Sequence, residues 1–175
     1  MCGICGWYRR DGEAVDPAVI AAQCATIVHR GPDDQGVHVD RDFGFGMRRL
    51  SILDLAGGHQ PMASDDGRYA IVYNGEIFNF PELRRELEGL GQRFRTTCDT
   101  EAILRGFERW GAGVWPRLEG MFAAAIWDRR ERTLHLARDP LGIKPLFYTT
   151  HGRGLAFASE LKALAPVPGA AFTPR

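Results

Sequence analysis

With 175 residues, 22 basic and 22 acidic side chains and 45% apolar residues, the chain is long enough for one substantial core, since domains of this size bury roughly 70% of their unfolded surface. A formal net charge of zero gives no electrostatic reason for nucleic acid or an anionic membrane as partner, so a small neutral or zwitterionic ligand fits better. No apolar run approaches the roughly 20 residues that span a bilayer and no signal-peptide pattern opens the chain, so a cytoplasmic protein is expected, with Cys2, Cys5, Cys24 and Cys98 as reduced thiols rather than a disulfide scaffold.

Residues 2–8 are apolar and glycine-punctuated and read as a buried strand. Asp16-Pro17 then opens a helix, with Asp as N-cap, Pro at the first helical position and Ile20, Cys24, Ile27 and Val28 at helical spacing; Arg30-Gly31-Pro32 ends it. Phe43, Phe45 and Met47 alternate with glycines in a strand or hairpin over residues 37–53, and residues 69–73 form a second short apolar strand. A second helix is expected from Asn79, with Glu82 as capping-box partner, one face of Phe80, Leu83, Leu87 and Leu90, and Gly91 as its stop. A third begins near Asp99 and buries Ile103, Phe107 and Trp110. Strands follow at 121–127, 133–137, 146–149 and 155–158, then a short helix at 160–164. Connections between these strands are too short for helical crossovers, which argues for an α+β fold with antiparallel sheets. The end at Pro174-Arg175 reads as a linker, giving a domain over 1–165 and the start of a connection over 166–175.

Met1-Cys2-Gly3 is the first candidate for chemistry. Removal of Met1 would place a thiol and a free α-amine on one residue, and an amine of pKa roughly 7.7–8.0 can accept a proton near neutrality where a lysine cannot. Otherwise Cys2 is a small buried residue. Cys2-x-x-Cys5 matches a bare redox or zinc spacing, but it lacks a second pair, a nearby His ligand and a following helix.

Tyr73-Asn74-Gly75-Glu76 follows an apolar strand. Asn-Gly is a strong hairpin-turn signal, yet an Asn side-chain N–H and a Gly backbone N–H can equally converge on a developing oxyanion. Arg48 and Arg49 point to opposite faces by strand alternation, so only one reaches a shared site. Arg49, on the side of Phe43, Phe45 and Met47, would need a carboxylate partner from the protein or a ligand. Asp99 suits a helix N-terminus, with a ligand ammonium as the other available partner.

The ordered set Met1-Cys2-Gly3-Ile4, His29-Arg30-Gly31-Pro32-Asp33, Arg49-Leu50-Ser51-Ile52, Asn74-Gly75-Glu76 and Asp99-Thr100-Glu101 resembles the class II glutamine amidotransferases, which are N-terminal-nucleophile hydrolases. Arg138-Asp139-Pro140-Leu141-Gly142-Ile143-Lys144-Pro145-Leu146 and Ala158-Ser159-Glu160-Leu161-Lys162-Ala163-Leu164 look most like the glutaminase half of glutamine-dependent asparagine synthetases. The resemblance implies a four-layer αββα sandwich of two antiparallel sheets between helices. It also implies Cys2 as nucleophile and amine base, Asn74 and Gly75 as oxyanion hole, and Arg49, Ile52, Glu76 and Asp99 as substrate-binding residues. Arg49 would take the α-carboxylate of L-glutamine, and Glu76 and Asp99 its α-ammonium. No metal or cofactor is implied for this chain. ATP and Mg would belong to a C-terminal synthetase domain, the expected partner, whose Ser-Gly-Gly-x-Asp-Ser loop the sequence lacks; a homodimer is compatible with the resemblance. Cys98 departs from the usual Ser-like cap, weakening that helix start by about 1 kcal/mol. The alternative to a glutaminase is a catalytically weak glutamine-binding or interaction domain.

Overall fold

The structure is a computed structural model, and it describes residues 1–50, 58–152 and 154–170. In chain order the elements are β1 (Gly3–Arg9), α1 (Pro17–Thr26), β2 (Asp34–Asp40), β3 (Phe43–Arg49), β4 (Met62–Ala63), β5 (Tyr69–Ile77), α2 (Phe80–Gly89), α3 (Asp99–Trp110), β6 (Gly120–Asp128), β7 (Thr133–Arg138), β8 (Phe147–His151) and β9 (Gly154–Ala158). The strands form two antiparallel sheets, one in the order β2-β3-β1-β9-β8 and the other β4-β5-β6-β7.

Strand alternation gives each sheet two apolar faces, and three buried clusters follow. Ile4, Phe43, Phe45 and Met47 meet Val72, Ala123, Ala125 and Trp127 between the sheets. Ile20, Cys24 and Ile27 of α1 and its C-terminal turn cover Cys5, Trp7, Ala156 and Ala158 on the outer face of the first sheet. Leu83, Leu87, Ile103 and Phe107 of α2 and α3 cover Tyr73, Phe122, Ala124 and Ile126 on the second. Three cores make four layers, so the αββα sandwich is observed. The inner core is anchored by Trp127, stacked on Phe43 with ring centroids 4.2 Å apart, while its Nε1–H donates to Asp40 at 2.8 Å. Large apolar side chains buried in this way contribute roughly 1.5–3 kcal/mol each.

Asp16 caps α1 as the sequence suggests, accepting from the Ala18 N–H at 2.8 Å. Some local details differ from expectation. Val28 and Leu90 are exposed, because each lies just past its helix, where the 3.6-residue period no longer fixes a face. Asn79 makes no cap on α2; its amide instead donates to the Arg117 carbonyl and accepts from the Glu119 N–H, tying α2 to the entry of β6. The residues at 160–164 form a single 3-10 turn, Leu161–Leu164. Asn74-Gly75 is not a hairpin turn. β5 runs on to Ile77, with Asn74 opposite Ala123 and Gly75 opposite Phe122. A Cβ on Gly75 would lie 2.4 Å from the Met121 carbonyl oxygen, so glycine is there for close approach of two strands.

Candidate active site

Cys2 immediately precedes β1, and its surroundings are built from segments far away in sequence. The Arg30 Nε–H donates to the Cys2 carbonyl at 2.9 Å, and the same guanidinium reaches Glu160 at 3.1 Å. Two residues on, the Ile4 N–H donates to Ser159 Oγ at 3.0 Å while the Ser159 N–H donates to the Ile4 carbonyl at 2.8 Å. The His29-Arg30 and Ser159-Glu160 motifs thus hold the start of the chain at a fixed place. Burial opposes ionisation of Glu160, but hydrogen bonds from His29, Arg30 and Lys162 outweigh it and bring the carboxyl to about 2. Because the folded value lies below the ordinary 4.5, the stabilisation is complete above about pH 4.5 and is lost as pH falls through about 2. Glu160→Gln should therefore lower the unfolding free energy by about 1–2 kcal/mol near neutrality, a figure discounted because a quarter of the side chain is exposed. Urea unfolding of the two proteins should show this difference shrinking steadily with acidification.

The Cys2 thiol lies 3.8 Å from the Leu50 carbonyl, next to the end of β3 that carries Arg48 and Arg49. Arg48 turns outward to the Gly31 carbonyl and Gln35. Arg49 is buried and lines the cavity with Cys2, so the structure makes the choice that parity left open. Gly31 is needed beneath this turn, since a Cβ there would lie 2.3 Å from the Arg48 carbonyl carbon.

Across the cavity, β5 supplies Asn74, Gly75 and Glu76. Asn74 is buried, and its Nδ2 has no hydrogen-bond partner among the described residues. A buried N–H left unmade costs about 1–3 kcal/mol, which is tolerated most readily where a ligand supplies the acceptor. The direction of the Gly75 N–H follows from its neighbours. The Tyr73 N–H donates to Gln60 Oε1 at 2.6 Å and the Ile77 N–H to Asp99 Oδ2 at 3.1 Å, so both turn away from β6. In an antiparallel strand N–H groups two residues apart share an edge; the Gly75 N–H, between them, therefore turns to the same edge.

Asp99 opens α3 and is fixed by two donors on one oxygen, the Ile77 N–H and the Tyr73 hydroxyl, the latter at 2.7 Å. Burial pushes its carboxyl up despite these bonds, which pull it down. Cys98 is the N-cap of α3 but its side chain makes no cap bond to the helix; its sulfur lies 3.0 Å from Thr96 Oγ1 instead. Glu101 completes no capping box; it accepts the N–H groups of Arg95 and Thr96, bracing the segment before the helix.

Cys2, Arg49, Asn74, Gly75, Glu76 and Asp99 all line one cavity of about 560 Å³. Ile52 lies outside the described residues. Gln60, Tyr73 and Lys144 line the cavity too and were not singled out from the sequence. Lys144 arrives from the 138–146 motif, whose Asp139 carboxylate gathers the N–H groups of Phe122, Ile143 and Lys144. Its Nζ lies 3.5 Å from Met1 Sδ, and Met1 lines the cavity as well. The Cys2-x-x-Cys5 pairing is absent: residues three apart on a strand face opposite ways, and Cys5 is buried against Cys24 under α1, with its sulfur 3.6 Å from that of Cys24. Among the described residues no cluster of three or more His, Cys, Asp or Glu could hold a metal, and no helix is long and apolar enough to cross a membrane.

Two antiparallel sheets between helices, with a cysteine at the chain start facing a cavity, define an amidotransferase fold of the N-terminal-nucleophile class. Among solved structures, the glutamine phosphoribosylpyrophosphate amidotransferase from Bacillus subtilis, complexed with ADP and GMP, shares this fold with a TM-score of 0.77 over 94% of this chain and 43% of its own, at 21% identity. A family model described as glutamine amidotransferase domain matches residues 1–174, and the chain belongs to that family. Asparagine synthetase [glutamine-hydrolyzing] 1 of Bacillus subtilis is 44% identical over 167 residues, and asparagine synthetase B [glutamine-hydrolyzing] of Escherichia coli is 37% identical over 170. These matches cover 94% and 95% of this chain but only 26% and 30% of the relatives, so the chain spans between a quarter and a third of their length.

Proposed function

We propose that this chain, once Met1 is removed, hydrolyses the side-chain amide of L-glutamine to glutamate and ammonia through a thioester on Cys2. The single observation that carries this reading is the gathering of a chain-start thiol, a buried amide donor without a partner among the described residues and side chains of both charges in one cavity. Arg49 takes the α-carboxylate of the substrate, and Glu76 and Asp99 its α-ammonium. The zwitterion is thereby gripped at one end, with its amide directed to Cys2.

The Cys2 sulfur attacks the amide carbon while its own α-amine accepts the thiol proton. The amide oxygen gains the charge and is held by the Asn74 Nδ2–H and the Gly75 N–H. The carbon–nitrogen bond then breaks, the proton passes from the amine to the leaving nitrogen, and ammonia departs. Water, deprotonated by the same amine, cleaves the thioester to glutamate and restores the thiol. This sequence requires no metal or cofactor in the chain. The ammonia is consumed by an ATP- and Mg-dependent amide-forming domain of asparagine synthetase type outside this chain.

Incubation of the processed chain with L-glutamine tests the reading. Glutamate and ammonia released in equal amounts support it, whereas calorimetric binding of glutamine without turnover would favour a binding domain.

A further inference from the structure

The geometry points to Tyr73 as a positioning residue for glutamine binding, its hydroxyl fixing the Asp99 carboxylate that receives the substrate's α-ammonium. This rests on the glutamine reading and adds a residue to it. Tyr73 is 3% exposed, its ring packed in the core beneath α3, and its hydroxyl emerges at the cavity with Asp99 Oδ2 at 2.7 Å. Burial, reinforced by the Asp99 charge, pushes the phenol well above its ordinary value, so it stays a donor wherever the enzyme works.

The contact is one of three bolts, among the described residues, between β5 and the first turn of α3. Gln60, also buried, accepts the Tyr73 N–H with Oε1 and donates from Nε2 to the Thr100 hydroxyl at 3.1 Å. Strand β5 is therefore tied to the first turn of α3 at Thr100, through Gln60, and at Asp99, through the Tyr73 hydroxyl and the Ile77 N–H. The Gln60 and Ile77 bolts join the two elements without the Tyr73 hydroxyl. The Tyr73 bolt sets the carboxylate itself, because a hydroxyl and a backbone N–H on one oxygen restrict rotation about the Cα–Cβ and Cβ–Cγ bonds. Without the hydroxyl the Asp99 side chain gains rotamers that do not meet an ammonium, and it loses a hydrogen bond to its charged form.

Tyr73→Phe keeps the ring and removes only the hydroxyl. In the processed chain it should raise KM for L-glutamine about tenfold and leave kcat within about twofold, the size expected of one hydrogen bond to a charged group. Glutamine titrated calorimetrically into Cys2→Ala and into Cys2→Ala/Tyr73→Phe should show the same loss of affinity without turnover. In an Asp99→Asn background Tyr73→Phe should change KM by less than about twofold, because the partner it positions has lost its charge. An unchanged KM, a fall confined to kcat, or the same multiplicative loss with and without Asp99 would overturn the assignment. Absence of glutamine binding to Cys2→Ala itself would instead remove the substrate reading, a failure distinct from equal binding by the two variants.

Discussion

Cys2→Ala is expected to abolish glutamate release, by at least about 10⁴-fold in kcat, the scale on which removal of a covalent nucleophile acts. The fold should hardly notice. The thiol is half-buried, and its hydrogen-bond contact among the described residues is a long one, 3.8 Å to the Leu50 carbonyl, while the backbone of Cys2 and Ile4 keeps its bonds to Arg30 and Ser159. Alanine also retains the α-amine, so the comparison isolates the sulfur. A chain that keeps Met1 tests the nitrogen in the same way: its Cys2 nitrogen is an amide without a basic lone pair, and Met1 lines the cavity beside Lys144. Both proteins should be inactive in a coupled glutamate assay and show melting transitions close to that of the processed chain.

Asn74→Ala is expected to lower kcat by about 100- to 1,000-fold with a much smaller change in KM, because the donor serves charge that exists only in the tetrahedral intermediate. Its effect on stability should be small, within about 1 kcal/mol. The buried Nδ2 has no partner among the described residues, so truncation removes a desolvated polar group as well as its packing. Loss of activity without loss of stability in steady-state kinetics and urea unfolding is the pattern expected of a donor held ready for a ligand. A variant that unfolds readily and binds glutamine poorly would mark Asn74 as structural instead.

The strands and helices were legible because their apolar periods are strong. Phe43, Phe45 and Met47 alternate, and Leu83 with Leu87 and Ile103 with Phe107 recur one turn apart, so each segment declares its buried face. Asn74-Gly75 shows where local chemistry misleads. The dipeptide favours a turn, but the long apolar partner β6 keeps β5 paired through it, and the glycine is used for strand approach. Asn79 was misread for a related reason: its cap chemistry is spent on the Arg117 and Glu119 backbone, 38 and 40 residues away. The reading of Cys2 as nucleophile came from the motif order, since one thiol at a chain start has no distinctive local pattern. Tyr73, Gln60 and Lys144 were invisible as cavity residues because what places them there is topology. Tyr73 meets Asp99 across 26 residues, and Lys144 meets Met1 across 143.

The most direct measurement is mass analysis of the processed, folded chain after reaction with a diazo-ketone analogue of glutamine, an electrophile that only an activated thiol in the glutamine pocket should capture. The account predicts one adduct per chain, located on Cys2, formed more slowly when glutamine is present and absent from the chain that retains Met1. An unlabelled Cys2, or labelling that excess glutamine does not slow, would contradict it.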